Sequence, residues 1–239
     1  WYSRTWGQWS VSTEQQIKLV QAGRQELVSL ANIPNLDGDL PYMTTRTIAA
    51  FSSAQIGAFT TNEIRQLSST QVQAFTSAQV GALSASQLVQ LPFGYLTLSQ
   101  TNAMSTTAIA GFGSAQWSYF DETYQVGIID VLTSRQLVAV STQAIAALDT
   151  RAVAALSVVY SNTVSALTSA QIGAITTAGI TALTSTSLKS LVSQQVPGLK
   201  TEQIWVLNST QIQNLSASVL NGLNSTQIKG FYYNALAGL

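Results

Sequence analysis

Three stretches of this chain are nearly the same eight residues: Ser52–Phe59 reads SSAQIGAF, Thr76–Leu83 reads TSAQVGAL and Thr168–Ile175 reads TSAQIGAI. Each copy ends in a large apolar residue, and stepping by eight from that residue recovers 20 repeats, or octads, in four runs. Self-similarity at a fixed period is typical of repeat architectures, in which each repeat packs on its neighbours. The runs begin at Met43, Met104, Leu132 and Leu167 and end at Leu91, Phe120, Leu156 and Leu239.

The octad has a regular chemical pattern when its opening apolar residue is numbered slot zero. Slots five and eight are apolar in all 20 copies, as in Ile48 and Phe51. Slot one is Ser, Thr, Asn or Asp in 16 copies, slot four is Gln or Glu in 12, and slot seven is Ala, Gly or Ser in 15. Ser or Thr three residues before Gln or Glu is a capping box, in which each side chain bonds the backbone N–H of the other residue. Each octad is therefore predicted to start a helix, and the small residue at slot seven allows close approach of a neighbouring backbone.

The period of eight favours very short helices over one continuous helix. Eight residues at about 100° each advance about 800°, so the apolar stripe of a straight helix would drift by about 80° per octad. The chain must bend after each octad to keep slots five and eight in one core. This predicts an all-α solenoid, a superhelix of very short helices that need their neighbours for stability. The alternative is a β-solenoid, since slots three, five and seven alternate, but Ala and Gln are poor strand formers.

Residues 1–42 lie outside the octads and are predicted to form a separate N-terminal region. Ser12–Ala31 reads as one longer amphipathic helix followed by the loop NIPNLDGDLPYM, and this helix is a candidate cap for one end of the solenoid. Residues 43–239 are predicted to form the octad solenoid, with breaks near 92–103, 121–131 and 157–166. No comparable polar cap follows the last octad, so we expect the array to continue in a partner subunit or in a longer chain.

The composition favours self-association and argues against several partners. Charged residues are 8% of the chain and the formal net charge is zero, so little electrostatic repulsion separates copies. The ten Lys and Arg residues are scattered, which argues against nucleic-acid binding. No apolar run approaches the roughly 18 residues of a membrane-spanning helix. We therefore expect no nucleic acid partner, no membrane span, and further copies of the same chain as the main partner.

The residue inventory argues against an enzyme. The chain has no His and no Cys, so the usual general base and the usual zinc ligands are missing. A Ser–Lys pair using Lys189 or Lys200 is the remaining nucleophilic arrangement, but the Ser and Thr residues are explained as helix caps. Asp37 and Asp39 flank Gly38 with a spacing that suits calcium, yet the downstream acidic ligand of a calcium loop is missing, and a polar turn explains them. We expect no catalytic, cofactor-binding or metal-binding residues.

Aromatic residues outside the repeat core are candidates for an interface. Aromatic side chains anchor protein interfaces and stack on sugars. Docking on a neighbouring subunit, covering the end of the solenoid and binding a glycan all remain open for them. Trp117 differs, because it fills slot five and is predicted to lie in the core. The candidate interface residues are Trp1, Tyr2, Trp6, Trp9, Trp205, Phe231, Tyr232 and Tyr233.

Three Asn-x-Ser/Thr sequons begin at Asn208, Asn214 and Asn224. In a eukaryotic secreted protein these residues would be glycan acceptors. Asn208 and Asn224 fill slot one, where a role as helix cap explains them better.

The unit Leu-Thr-x-x-Gln-Ile/Val-x-Ala-Leu resembles repeats found in large bacterial secreted and cell-surface proteins, many of which are described as adhesin-like. The best matches are Ser52–Phe59, Ser68–Phe75, Thr76–Leu83 and Thr168–Ile175. The resemblance covers the octad runs, about two thirds of the chain. It implies an extracellular or cell-surface location and carries over no catalytic residue.

Taken together, these observations predict a structural, self-assembling extracellular protein, such as a subunit of a filament, sheath or surface layer, or a stalk segment. The alternative is an adhesin or binding module that recognises a glycan or another surface protein. A cluster of exposed aromatic residues on one face would favour the alternative.

Overall fold

The computed structural model describes residues 3–5, 8–10, 18–20, 22–24, 28–36, 39–91, 93–113, 117, 120–121, 126–156 and 163–231. The chain forms two compact units, Trp1–Gly111 (unit 1) and Phe112–Leu239 (unit 2). The predicted all-α solenoid of very short helices is confirmed in both units, where the α-helices whose bounds the structure describes have four to six residues each.

Unit 1 contains α-helices and 3-10 helices in the octad order. Its 3-10 helices are Leu30–Leu36, Leu40–Tyr42 and Phe93–Tyr95. Its α-helices are Thr45–Ala50, Ser53–Gly57, Thr61–Gln66, Ser69–Gln73, Ser77–Gly81, Ala85–Leu88, Leu98–Ala103 and Thr106–Ala110.

Unit 2 repeats the same elements. Its 3-10 helices are Ile128–Val131 and Ser193–Gly198. Its α-helices are Ser134–Ala139, Thr142–Ala146, Thr150–Ala155, Thr163–Ala166, Ser169–Ala174, Thr177–Ala182, Ser185–Lys189, Thr201–Trp205, Ser209–Gln213, Ala217–Gly222 and Ser225–Ile228.

Each octad helix begins after slot one, and its C-cap residue lies at slot six, seven or eight. At the helix Ser53–Gly57, the Ser52 hydroxyl accepts from the Gln55 N–H at 3.2 Å, and Gln55 Oε1 accepts from the Ser52 N–H at 2.8 Å. This is the predicted capping box. At slot eight the backbone is extended, as at Phe51 with φ −63° and ψ 143°, which turns the chain into the next cap. Val192 and Lys200 occupy slot one without a side-chain cap, yet their N–H groups still bond the slot-four Gln.

Each helix packs on the helix three octads further along the chain. Ser53–Gly57 packs on Ser77–Gly81, which begins 24 residues later, and Ser169–Ala174 packs on Ser193–Gly198 with the same offset. Three short helices therefore make one turn of the solenoid, and successive turns stack helix on helix. Within each unit, slots five and eight point to the inside of this stack.

The predicted core positions are buried in almost every described octad. In the octads predicted from sequence, slot five is at most 2% exposed from Ile48 to Ile212, and slot eight is at most 9% exposed from Phe51 to Leu223. Trp117 is 2% exposed, as predicted, and its indole N–H donates to the Phe112 carbonyl at 3.2 Å. Among the described octads, slot five is less well buried in two, where Leu220 is half-buried and Ile228 is exposed.

The break predicted near 92–103 contains a capped helix. Thr97 caps Leu98–Ala103 with Gln100 in a full capping box, and the slot-five residue is Thr101, buried at 5% exposure. The sequence pattern missed this octad because Thr101 is polar; its hydroxyl donates to the Thr97 carbonyl at 3.2 Å. The irregular element of this break is the three-residue 3-10 helix Phe93–Tyr95, which stands where a full octad helix would otherwise be.

The other two breaks also contain regular elements among their described residues. Near 157–166, the helix Thr163–Ala166 places Val164 in the core at 1% exposure. Near 121–131, strands Phe120–Asp121 (β3) and Val126–Gly127 (β4) form an antiparallel pair that leads into the 3-10 helix Ile128–Val131. Neither the strands nor the insertion lengths were predicted.

The N-terminal region departs from the sequence prediction in two ways. Strands Ser3–Thr5 (β1) and Gln8–Ser10 (β2) form an antiparallel hairpin in which Arg4 pairs with Trp9. The prediction of a single helix from Ser12 to Ala31 was wrong in its extent. Residues 18–20 are helical, but Gly23 ends the helix with φ 76°. Arg24 N–H bonds the Leu19 carbonyl across this turn, which is the Schellman motif that glycine favours.

Two slot-seven glycines of unit 2 give a matched test of close packing. A Cβ on Gly198 would lie 1.7 Å from the Ser169 carbonyl oxygen, whereas a Cβ on Gly222 would lie 3.4 Å from Val196 Cγ2. Gly198→Ala is therefore expected to lower the free energy of unfolding by about 3 kcal/mol, because backbone must move. Gly222→Ala should be neutral or stabilise by up to about 1 kcal/mol, since Ala is the better helix former. Urea denaturation of both variants measures the difference in the free energy of unfolding. Equal effects would contradict the close contact between the helices Ser169–Ala174 and Ser193–Gly198.

Candidate functional site

The most distinctive site in the structure is a row of buried glutamines at slot four. The side-chain oxygen of each closes the capping box of its own helix, while its amide nitrogen donates to backbone carbonyls of the preceding turn. Gln203 Nε2 donates to the Ile172 carbonyl at 2.8 Å and to the Ile175 carbonyl at 2.7 Å. Gln79 Nε2 donates to the carbonyls of Ile48, Ala49 and Phe51 at 3.2, 3.3 and 2.6 Å.

The same arrangement recurs along both units, and we call these side chains the glutamine row. Each is at most 7% exposed. In most regular octads the two acceptors lie 31 and 28 residues earlier, at slots five and eight. Gln87 and Gln211 instead donate to the slot-six carbonyls of Gly57 and Thr181, 30 residues earlier, and to slot eight. The members are Gln55, Gln71, Gln79, Gln87, Gln100, Gln171, Gln195, Gln203, Gln211 and Gln227.

The sequence separation between donor and acceptor also gives the length, in residues, of the irregular turns. Gln100 bonds Val72 and Phe75, which lie 28 and 25 residues earlier, so that turn is three residues short. Gln171 bonds Leu137 and Val140, which lie 34 and 31 residues earlier, so that turn is three residues long. The glutamine row keeps its acceptors despite these changes, which indicates that the link between turns is retained while loop length varies.

The glutamine row solves a problem that short helices create. A helix leaves its last four carbonyls without intrahelical donors, and in a helix of five residues these are most of its carbonyls. Each slot-four amide supplies donors to such carbonyls in the turn below it. Each hydrogen bond contributes about 1 kcal/mol net, but losing a donor to a buried acceptor costs about 1–3 kcal/mol.

The sequence contains a signal for this link between turns, because slot four carries Gln far more often than a capping box alone requires. A capping box accepts Glu or Gln equally well, because only a side-chain oxygen is needed. Of the 12 slot-four residues of these two types, 11 are Gln and only Glu63 is acidic. The excess of Gln indicates a use for the amide donor, since an ionised carboxylate has none.

Glu63 is the exception, and it is fully buried at 0% exposure. Its Oε2 accepts from the Thr60 N–H at 2.6 Å, as in the other capping boxes. Glu63→Gln keeps this acceptor and adds an amide donor of the kind that the other slot-four residues use, so we expect about 1 kcal/mol of stabilisation at pH 7. Thermal denaturation measures the change, with the exposed Glu202→Gln as the control that should have no effect. A less stable Glu63→Gln variant would show that the carboxylate itself stabilises the turn.

The predicted interface residues are spread over several elements. Trp205 ends the helix Thr201–Trp205 and is 59% exposed. Phe231 is half-buried beside the core of unit 2. Trp9 lies in β2 opposite Arg4. Trp1, Tyr2, Trp6, Tyr232 and Tyr233 lie outside the described residues.

Other apolar residues outside the predicted interface set are also exposed at the surface. Tyr42 is 88% exposed and Leu30 is 50% exposed, both in the 3-10 helices before the first octad. In unit 2, Ile228 is 52% exposed although it fills slot five. Single exposed apolar residues are common, so they count only where a second observation accompanies them.

The candidate chemical groups found from sequence have ordinary surroundings. Lys200 lines a shallow groove with Ser169 and Gly198, and no hydrogen bond among the described residues joins Lys200 to Ser169. Asp39 precedes the 3-10 helix Leu40–Tyr42 and makes no side-chain cap bond. Within the described residues, no three His, Cys, Asp or Glu side chains are placed to hold a metal ion.

The sequons and the membrane prediction can be placed on the structure. Asn208 Oδ1 and Asn224 Oδ1 each accept from a slot-four N–H at 2.9 Å, so both are helix caps. Asn214 follows the helix Ser209–Gln213 and its amide donates to the Thr210 carbonyl at 2.7 Å. None of the helices that the structure describes is both long and apolar enough to cross a bilayer.

Comparison with known proteins supports the repeat assignment and goes no further. The family model described as the ALTTAQ repeat matches residues 37–69 and 59–92, which lie in unit 1 and include its first run of octads. No curated protein and no solved structure gave a match to the chain. The chain is therefore similar to ALTTAQ repeats over this part of unit 1, and the remaining octads are assigned by their own pattern and structure.

Proposed function

We propose that this protein is a structural repeat protein that assembles with further copies of itself outside the cell, as a subunit of a filament, sheath or surface layer, or as a stalk segment. One observation carries the proposal: consecutive turns are joined by the same parts, an apolar pair at slots five and eight and a glutamine amide at slot four. Because the same parts join every pair of turns, one turn can pack on another that comes from the same chain or from a second copy.

The surface chemistry supports association. The chain has ten basic and ten acidic residues in 239, and its outer positions are mostly Ser, Thr, Gln and Asn. Such a surface generates little repulsion between copies, so a modest contact area suffices to hold them. The buried links between turns are hydrogen bonds of neutral groups, which salt does not screen.

The location is inferred from resemblance. The octads resemble repeats of bacterial secreted and cell-surface proteins, and the matched ALTTAQ model covers residues 37–92. A chain without Cys folds in either redox compartment, so it is compatible with secretion. We therefore propose an extracellular or cell-surface location for the assembled protein.

Negative-stain electron microscopy together with analytical ultracentrifugation tests the proposal. Over a rising concentration series without detergent, we expect the mean mass to increase and ordered fibres, tubes or sheets to form. Single particles of constant mass at all concentrations would contradict self-assembly.

A second candidate function, binding of a glycan or a surface protein, is favoured by the exposed Trp205. An indole at 59% exposure offers a stacking face of the kind that sugars use. If this function is correct, Trp205→Ala should abolish binding on a glycan array while leaving the melting temperature within about 2 °C of the wild type, because the side chain lies outside the core. Unchanged array binding in the variant would exclude Trp205 as the site.

A further inference from the structure

Two of the three sequons, those of Asn208 and Asn224, present an unused amide nitrogen. In each, the side-chain Oδ1 accepts from the slot-four N–H of its own octad at 2.9 Å, at Gln211 and Gln227. The oxygen and nitrogen of a planar amide point in different directions, so when Oδ1 faces the helix, Nδ2 faces away from it. Neither Nδ2 has a hydrogen-bond partner within the described part of the chain.

Slot one lies on the outside of the solenoid, so this nitrogen is accessible. Asn208 and Asn224 are both exposed. The hydroxyl residues that complete their sequons, Thr210 and Thr226, are exposed as well. The exposure belongs to slot one itself, because Thr168 is exposed in the same way although its helix has described helices packed on it from both neighbouring turns.

The third sequon has the opposite geometry. Asn214 lies at slot seven and is half-buried. Its Nδ2 donates to the Thr210 carbonyl at 2.7 Å and to the Ser185 hydroxyl at 3.2 Å. The chain therefore carries the same motif in two forms, with an open amide nitrogen at slot one and a bonded amide nitrogen at slot seven.

We propose that Asn208 and Asn224 are acceptors for N-linked glycans in the folded protein and that Asn214 is not. The inference does not depend on self-assembly. Helix capping uses only the amide oxygen, whereas an N-linked glycan is carried by the amide nitrogen, so one side chain serves both roles.

The transfer leaves the cap intact. The donor is a diphosphate-activated sugar, brought by a glycosyltransferase. Nδ2 forms a bond to C1 of the sugar, the bond from C1 to the phosphate oxygen breaks, and the diphosphate leaves with the electron pair of that bond. Nδ2 gives up one of its two protons to a base of the transferase. Because Oδ1 still accepts from the slot-four N–H, we expect the modified protein to melt within about 2 °C of the unmodified protein.

A matched octad without the sequon lies in unit 1. The octad that begins at Asn208 starts NSTQ, and the octad Ser68–Phe75 starts SSTQ. Ser68 is exposed and caps its helix by accepting from the Gln71 N–H at 3.3 Å. Asn208→Ser should therefore remove an acceptor and keep the cap, because Ser and Asn cap helices about equally well. Ser68→Asn should create an acceptor at slot one.

Treatment with a soluble asparagine glycosyltransferase and uridine diphosphate glucose, followed by mass spectrometry, tests the assignment. We expect the folded wild-type chain to gain two hexoses, at Asn208 and Asn224. The Asn208→Ser chain should gain one hexose and the Ser68→Asn chain three. Circular dichroism checks that both variants fold before treatment.

A tryptic peptide separates the effect of the fold from that of the sequence. Residues 201–229 contain all three sequons and no basic residue before Lys229, so trypsin releases them as one peptide. In this peptide the hydrogen bonds of Asn214 are absent, and we expect all three Asn residues to be modified.

Three other results would overturn the inference or part of it. If Asn208 and Asn224 stay unmodified in the folded chain, they are not acceptors and the inference is wrong. If Asn214 is modified as fast as Asn208 in the folded chain, or stays unmodified in the peptide, its hydrogen bonds do not close the third sequon. If folded Ser68→Asn gains no additional hexose, slot one does not by itself present the amide nitrogen.

Discussion

Ile172→Asp and Ile212→Asp are each expected to unfold the octads around them. The two side chains are 1% and 0% exposed at slot five, so an Asp there would bury a carboxylate among Leu and Ile side chains. Burying an unpaired charge costs far more than a typical core substitution, and we expect a loss of about 4 kcal/mol or more in the free energy of unfolding. Far-ultraviolet circular dichroism and urea denaturation of the two single variants and the double variant measure this loss.

The matched controls lie in the same two helices. Ala170→Asp and Thr210→Asp introduce the same charge at exposed positions of Ser169–Ala174 and Ser209–Gln213. They should leave the unfolding midpoint nearly unchanged. A folded and soluble Ile172→Asp/Ile212→Asp protein would mean that slot five is not the core of unit 2.

Gln79→Glu is the second substitution with a large expected effect. The carboxylate keeps the oxygen that accepts from the Thr76 N–H but loses the amide that donates to Ile48, Ala49 and Phe51. Gln79 is 2% exposed, so the new charge is also buried. We expect a loss of about 3 kcal/mol at pH 7, measured by urea denaturation of the variant and the wild type.

The pH dependence of this variant has a definite sign. Burial favours the neutral form of the introduced acid and raises its pKa above that of the unfolded chain, so the folded state binds the proton more tightly. The loss should therefore shrink as the pH is lowered towards the ordinary range of Glu and be greatest above it. Gln73→Glu, at an exposed position of Ser69–Gln73, is the control that should show neither effect. A Gln79→Glu variant as stable as the wild type at pH 7 would contradict a structural role for the amide donor.

Much of the local structure could be predicted from the sequence because its causes are local. Ser52 and Gln55 belong to one octad, and their reciprocal bonds depend only on residues three positions apart. The core positions follow in the same way, since a repeat that bends after every octad has one inward direction. The caps, the core positions and the helical class therefore follow from the octad itself, without reference to tertiary contacts.

The number of helices per turn could not be predicted, because it depends on the bend at each slot eight and on which helices then touch. The helix partner 24 residues away and the glutamine acceptors 28 and 31 residues away are consequences of that bend. Thr101 shows a second limit, since a polar residue whose hydroxyl bonds its own helix can replace an apolar one in the core. Gly23 shows a third, because one glycine within an amphipathic pattern was enough to end the helix.

The candidate site was predicted only in part. Trp205 was expected to be available at the surface, and it is exposed. Ile228 was assigned to the core by its slot, but it is 52% exposed, so slot position alone did not predict its burial. The glutamine row was read as a set of helix caps, and its links between turns were missed because the donor half of the amide has no partner within the octad.

A distance measurement between two spin labels tests the central claim, three octads per turn, most directly. The chain has no Cys, so labels can be placed at Thr186→Cys and Thr210→Cys, which are exposed positions in the stacked helices Ser185–Lys189 and Ser209–Gln213. Stacked helices lie about 10 Å apart, so electron paramagnetic resonance should give a label separation below about 20 Å. A separation of about 36 Å, the length of 24 residues in a continuous helix, would contradict the three-helix turn.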